Sequence, residues 1–527
     1  MVRAVAFMRV HHLAAPMHTS PQEAGEGGML CMHPSFLSVL PFLSIIPIAL
    51  LTKQVIPGLV VGWLLGAALI ARGFIPTLDT ALVYLYKEAS VPGNLHLIVF
   101  LYAFGAFVGL IQITGGVSGF ARLLRPRIHS AKGAFAVTWL SSFATFMAPD
   151  FRIITVAPAM KPVTERFGIS TDRLAYAVNV TSTPLISVVP VATAFVGYML
   201  GLVAVGLKHI GNHASPFGFF LSTLPFNLFA WAILLVGAYL SFVRKAPALA
   251  GTATDSAGAQ GAQGASARVA GNAAAPGAHA QTTGAQGLTK GAAQPRAADE
   301  AEPSALHLLL PIALLIVLTL AFTWISGAAK ASTPLGILVN ADATKAMLEA
   351  IVVTLVLSSL FYLLRKQPVG RLMTGIIEGG NEMVPVILLL TLVWAVSGLS
   401  AALGFTPYVA GLIGHSVPRL LIAPALFVIG SLISYFIGSS FGAWAMLIPL
   451  AFTLAQASGS SLPVAVGAVF ASGTLGGFAS PLSDNTIAMA TVLKLPAVDF
   501  ARSLLKTTVV AGAAATVGYA VLGFVGV

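Results

Sequence analysis

The chain runs to 527 residues, 57% of them hydrophobic and only 9% charged, with a mean hydropathy of +0.90, whereas soluble domains carry about 25% charge. That balance excludes a soluble globular protein and marks a polytopic membrane protein lying in a lipid bilayer. The net charge of +11 needs no nucleic-acid partner, because the basic residues cluster between apolar runs as the positive-inside rule requires.

Residues 1–34 mix His11, His12, Glu23 and Glu26 with glycines and hold no sustained apolar core, so they read as a disordered tail rather than a signal peptide. On this reading Met29 or Met32 is expected as the true start. Cys31 is the single cysteine, which leaves no intrachain disulfide and no thiolate metal cluster. Beyond the tail, apolar runs of roughly 17 to 25 residues count as spans. In a first repeat, residues 35–245, these are 35–51, 55–71 and 95–114. The next run, 134–163, is interrupted by Ala148-Pro149-Asp150-Phe151-Arg152. Its arms are short for crossing, which makes a re-entrant hairpin with its tip near Asp150. Run 174–206 is broken at Asn179-Val180-Thr181-Ser182-Thr183-Pro184 and carries Pro190 as well. Proline removes a backbone donor, and nearby hydroxyls and amides can serve the freed groups or a bound ion. Run 217–243 completes the half.

Residues 246–304 are Ala, Gly, Gln, Ser and Thr without periodicity, a disordered cytoplasmic linker. The second repeat, 305–527, follows the same plan: spans 306–327, 346–364 and 383–403, then 420–454 with a hairpin break at Gly438-Ser439-Ser440-Phe441-Gly442. Run 462–493 contains Gly476-Gly477-Phe478-Ala479-Ser480-Pro481-Leu482-Ser483-Asp484-Asn485-Thr486, and 507–527 closes the chain. The expected fold is all-α, two repeats of three spans, a re-entrant hairpin, a broken span and a final span. An odd number of crossings per half makes the repeats inverted. Counted from an outer N-terminus, Lys53, the loop 122–132, the turn 161–173, the linker, Arg365-Lys366-Arg371 and the turn 494–506 fall inside, and the outer face keeps fewer cations.

An open backbone and an ionisable side chain are both costly in lipid unless they line a cavity. Asp484 with Ser480, Ser483, Asn485 and Thr486 offers the oxygen set of a hard cation, and Asn179, Thr181 and Ser182 offer a pseudo-symmetric counterpart, joined by Ser439 and Ser440 at the second hairpin tip. Na⁺ is accordingly expected at Asp484 and Asn179. A proton carrier needs a carboxylate that titrates near working pH, for which Asp150 and Asp484 are the candidates. In the structural alternative, Asp484 only caps a helix and Asp150 only pairs with Arg152. Arg152 either neutralises Asp150 or holds an organic anion in its planar fork. Glu378 and Glu382 begin a proton path or form a solvated helix entrance. Trp394 reads as packing, and His11, His12, His209, His213 and His415 as tail and loop residues. Gly438-Ser-Ser-Phe-Gly442 spells a nucleophile elbow, but an elbow follows a strand, so an intramembrane hydrolase is remote. No cofactor is expected beyond transported Na⁺ and H⁺.

Asp150-Phe151, Met160-Lys-Pro-Val-Thr-Glu-Arg-Phe-Gly-Ile-Ser170, Leu174-Ala-Tyr176, Pro184, Gly438-Ser-Ser-Phe-Gly442 and Ser480-Pro-Leu-Ser-Asp484 resemble the NhaC-type Na⁺/H⁺ antiporter family. The resemblance implies a secondary transporter of the ion-transporter superfamily in the inner membrane, exchanging cations for protons and able to form a homodimer. Similar members exchange small organic acids, so carboxylate or amino-acid exchange coupled to H⁺ or Na⁺ is the alternative. This chain departs from the family pattern in three places. Pro149-Asp150-Phe151-Arg152 replaces an Asp-Asp-aromatic run, Asn179-Val180-Thr181 replaces Asp-Ser-Thr, and Asn485 replaces a threonine. Two carboxylates are lost and a cation is gained.

Overall fold

The computed structural model describes residues 35–71, 73–124, 128–190, 193–243, 304–413 and 418–526. Every regular element among them is a helix. The expected tail, Cys31, the alternative starts and the linker up to residue 303 lie outside these residues. Among the described residues eight helices are long and apolar enough to cross a membrane, ten if each of two bent pairs is one span. Helices are what such a chain must form, since lipid offers no partner for an unpaired peptide group.

The two halves of the chain run through similar but not identical orders of helices. In the first half Leu40–Thr52, Val55–Ile70 and Phe74–Ala89 lead to Pro92–Ile113 and the short Gly116–Leu124. In the second, Leu306–Ala328, the short Pro334–Asn340, Ala343–Leu364 and Val369–Glu382 lead to Val384–Ala402 and the short Phe405–Ile413. Phe74–Ala89 and Val369–Glu382 are additions to the expected spans. Both carry charge, at Asp79, Lys87 and Glu88 and at Arg371, Glu378 and Glu382, which hides them from a count of apolar runs. The second lies along Pro92–Ile113 backbone to backbone: a Cβ on Gly109 would stand 2.2 Å from the Gly375 carbonyl oxygen, and one on Gly105 2.3 Å from that of Gly379. Small residues permit this approach, as they do between helices in membranes generally.

In each half two helices joined by a tight turn, an interrupted helix and a closing helix follow. In the second half the two joined helices, Arg419–Ile437 and Ser440–Ser458, are each long and apolar enough to cross a membrane, unlike the short arms expected of a re-entrant hairpin. The first hairpin runs through Ala131–Leu140 and Ser142–Thr145, turns at 146–148 and returns as Pro149–Arg166, with proline at the first helical position where no N–H is missed. The second joins Arg419–Ile437 to Ser440–Ser458 at Gly438, whose φ of 79° ends the incoming helix in the left-handed region. Ser439 caps the outgoing helix, its Oγ accepting from Gly442 N at 3.1 Å.

The first broken span is Thr171–Val180, Thr183–Ile186 and Ala194–His209, with one interruption at Thr181-Ser182 and another around Pro190. His209 thus ends a helix rather than sitting in a loop. The second broken span is Leu462–Ala479 and Asp484–Leu493. The halves close with Pro216–Phe226 and Leu228–Phe242, bent by 49°, and with Ala497–Val525. This last helix starts before residue 507: its first turns hold Asp499, Arg502 and Lys506, which a count of apolar runs passes over, and Arg502 lies 3.7 Å from Asp499. Lys161 Nζ donates to Leu493 O at 3.4 Å. Pro149–Arg166 and Asp484–Leu493 therefore run side by side, and the charged turns that follow them lie together.

Candidate functional site where the two broken spans meet

Each break is built by short polar side chains that turn back on the helix they terminate. Thr181 Oγ1 donates to Ala177 O at 2.7 Å and Ser182 Oγ to Val178 O at 2.6 Å, serving last-turn carbonyls that a helix end leaves without partners. In the second half Ser483 caps Asp484–Leu493: its Oγ accepts from Thr486 N at 3.2 Å and donates to Gly477 O at 3.0 Å, with Thr486 Oγ1 at 3.3 Å. The cap is therefore Ser483 and not Asp484. Asp484 occupies the first turn of its helix and Asp150 the first turn of Pro149–Arg166, positions where the helix dipole favours a negative charge.

The two breaks touch. Asn179 Nδ2 donates to Phe478 O at 2.9 Å, and Asn485 Nδ2 donates to Thr183 Oγ1 and to Gly477 O at 3.3 Å. The second hairpin tip is stitched to the same place, with Ser480 Oγ donating to Tyr435 O at 2.6 Å and Ser440 Oγ to Gly473 O at 2.8 Å. Gly477 stands at the crossing: a Cβ there would lie 2.2 Å from Ser440 Oγ and 3.2 Å from Thr183 Cγ2. Asn179, Thr181, Ser182, Ser440, Ser480, Ser483, Asn485 and Thr486 are all buried. Most of their hydrogens are spent on protein carbonyls, which leaves oxygen lone pairs for anything bound between the halves. Asn179 Oδ1 is buried and has no partner at all.

Asp150 and Asp484 are exposed, as are Glu378 and Glu382. Asp150 and Asp484 each stand in the first turn of one of two helices, Pro149–Arg166 and Asp484–Leu493, that run side by side. Among the described residues no group of three or more His, Cys, Asp or Glu is arranged to hold a metal ion.

Arg152 departs from both readings of it. It makes no ion pair among the described residues, and it is fully buried. Positions i and i+2 of a helix point to different sides, so Asp150 and Arg152 on Pro149–Arg166 cannot face each other. Instead Nε and Nη2 donate to Thr181 Oγ1 at 3.2 and 2.6 Å, Nη1 to Ser141 Oγ at 3.3 Å and Thr145 Oγ1 at 2.8 Å, and Nη2 also to Thr138 O at 2.7 Å. These contacts match the five N–H groups of a guanidinium, leaving none for a substrate anion. Ser440 is no nucleophile elbow either: it begins a helix and follows another, not a strand. Trp394 is fully buried packing, as expected, with Nε1 directed at Gly201 O, 3.5 Å away. Thr183, Gly477 and the Phe478 carbonyl were not among the expected site residues. The Gly476-Gly477 pair and the position of Thr183 just before Pro184 are the traces they leave in the sequence.

The sequence pattern of the Na⁺/H⁺ antiporter family matches residues 188–524. The chain belongs to that family. The matched stretch contains Asp484, Asn485 and the second hairpin, while Asp150, Arg152 and Asn179 precede it. An uncharacterized protein of Haemophilus influenzae is 24% identical over 512 residues, covering 93% of this chain and 91% of its own. Two solved structures share the fold. The YdaH transporter of Alcanivorax borkumensis, described as having an unusual topology, superposes with a TM-score of 0.55 at 13% identity, over 94% of this chain and 99% of that one. MtrF of Neisseria gonorrhoeae, described among antimetabolite efflux pumps, gives 0.56 at 14% identity, over 87% and 86%. Family and fold together make this chain a multi-pass membrane protein and a secondary transporter.

Proposed function

We propose that the chain exchanges Na⁺, or a cation like it, for H⁺ across the cell's inner membrane, with Asp484 alternating between the cation and the proton and Asp150 as its neighbouring carboxylate. The observation that supports this reading is the meeting of the two breaks, Asn179 on Phe478 and Asn485 on Thr183, beside two carboxylates at adjacent helix starts. A hard monovalent cation is satisfied by one carboxylate together with neutral oxygens, and Asn179 Oδ1 with the Ser and Thr hydroxyls supplies those. When the cation leaves, a proton on the carboxylate removes its negative charge, which is costly at depth in a bilayer. The similar element order of the halves fits two inverted repeats rocking about a shared site.

Carboxylate or amino-acid exchange is the competing reading, and it loses Arg152 as the holder of the anion. Proteoliposomes loaded with a pH-sensitive dye separate the two. Dissipation of an imposed pH gradient by Na⁺ or K⁺ is the expected result. Dissipation only by an organic acid would overturn cation exchange in favour of the competitor.

A further inference from the structure

Arg152 is a fully buried charge that the exchange reaction leaves unused. Its surroundings have the chemistry of a cation site. The oxygens that receive it are neutral: one main-chain carbonyl, Thr138 O, and the hydroxyls of Ser141, Thr145 and Thr181. Each hydroxyl has already given its own hydrogen to the backbone, Ser141 to Thr138 O, Thr145 to Ser141 O and Thr181 to Ala177 O, so that lone pairs face the guanidinium. Two of the three sit at helix C-terminal ends. Ser141 is the residue that ends Ala131–Leu140, and Thr181 the one that ends Thr171–Val180. Each such end carries roughly half a negative elementary charge, and two together roughly balance one cation. Carbonyls and half-helix C-termini at an unwound stretch are also what holds a transported alkali ion in other secondary transporters.

The second half has no such charge. Laying Pro149-Asp150-Phe151 against Ser439-Ser440-Phe441 puts Gly442 opposite Arg152, and Gly442 has no side chain.

We propose that the Arg152 guanidinium is a tethered cation, permanently filling an ion position built by the first hairpin and the first break, so that this position takes no ion from solution. Exchange is then confined to the surroundings of Asp484 and Asp150. This rests on the transport reading for its consequence, but the occupancy itself is testable without transport.

The test is thermal unfolding of purified Arg152→Ala in detergent. A vacated position should accept a free cation, so NaCl or methylguanidinium chloride at millimolar concentration is expected to raise the Tm of Arg152→Ala by a few degrees beyond any wild-type response, with choline chloride inert. An equal response in variant and wild type would overturn the idea. If Arg152→Ala does not fold, Arg152→Lys and Arg152→Gln decide. A tethered charge predicts that Lys retains a monodisperse, exchanging protein while Gln does not. The reverse order would mean that shape and hydrogen bonding matter and charge does not. Should wild-type liposomes show no cation-driven proton flux, the transport reading fails, whereas these Tm differences still report on the position.

Discussion

Asn179 and Asn485 each give an amide hydrogen to the opposite half of the chain, and that exchange holds the breaks in register. Replacing Asn179 with Ala removes the partner of a buried carbonyl, which typically costs about 1–3 kcal/mol. A lowered melting temperature in detergent is the expected reading, together with weakened cation dependence of exchange, since Asn179 Oδ1 is a buried oxygen at the break without a protein partner. Asp484→Asn keeps the shape but cannot hold and release a proton. It should reduce proton flux in the dye assay to the level of empty liposomes, and undiminished exchange would remove Asp484 from the mechanism. Arg152 shows the limit of reading such sites from sequence. Its oxygens lie 7, 11, 14 and 29 residues away and come from side chains common in any apolar helix. The nearest carboxylate along the chain, at Asp150, was the natural but sterically excluded partner.

Among the elements, the breaks were the most legible. Gly438 and the Ser-Pro-Leu-Ser run at 480–483 stand where a helix stops, and Pro184 sits in the first turn of the short helix that follows the break at Thr181-Ser182. Less legible were Phe74–Ala89 and Val369–Glu382, whose charged faces break the apolar count. The second of these is held by glycine contacts that no single-helix pattern reveals. Gly109→Val is expected to force it off Pro92–Ile113, at a cost of about 1–3 kcal/mol or more, because the added atoms meet the Gly375 carbonyl. Gly93→Ala, with nothing within 4 Å of the new Cβ, should behave as wild type. Size-exclusion profiles of the two variants check the contrast. Loss of Glu378 and Glu382 together, as Gln, should slow proton exchange without lowering melting temperature if they serve Asp150, and an unchanged rate would return them to a solvated entrance.

At the scale of the molecule, everything turns on whether two distant stretches, around 179–183 and 477–486, form one site. The chain has a single cysteine. With Cys31 changed to Ser, Thr183→Cys and Asn485→Cys place thiols where Asn485 Nδ2 now meets Thr183 Oγ1. A protease site inserted within 246–304 then cuts the halves apart. After oxidation and cleavage in membranes, the expected result is one band on a non-reducing gel that separates into two on reduction. Two bands without reduction, with both thiols free to react with a maleimide, would contradict a shared site between the halves.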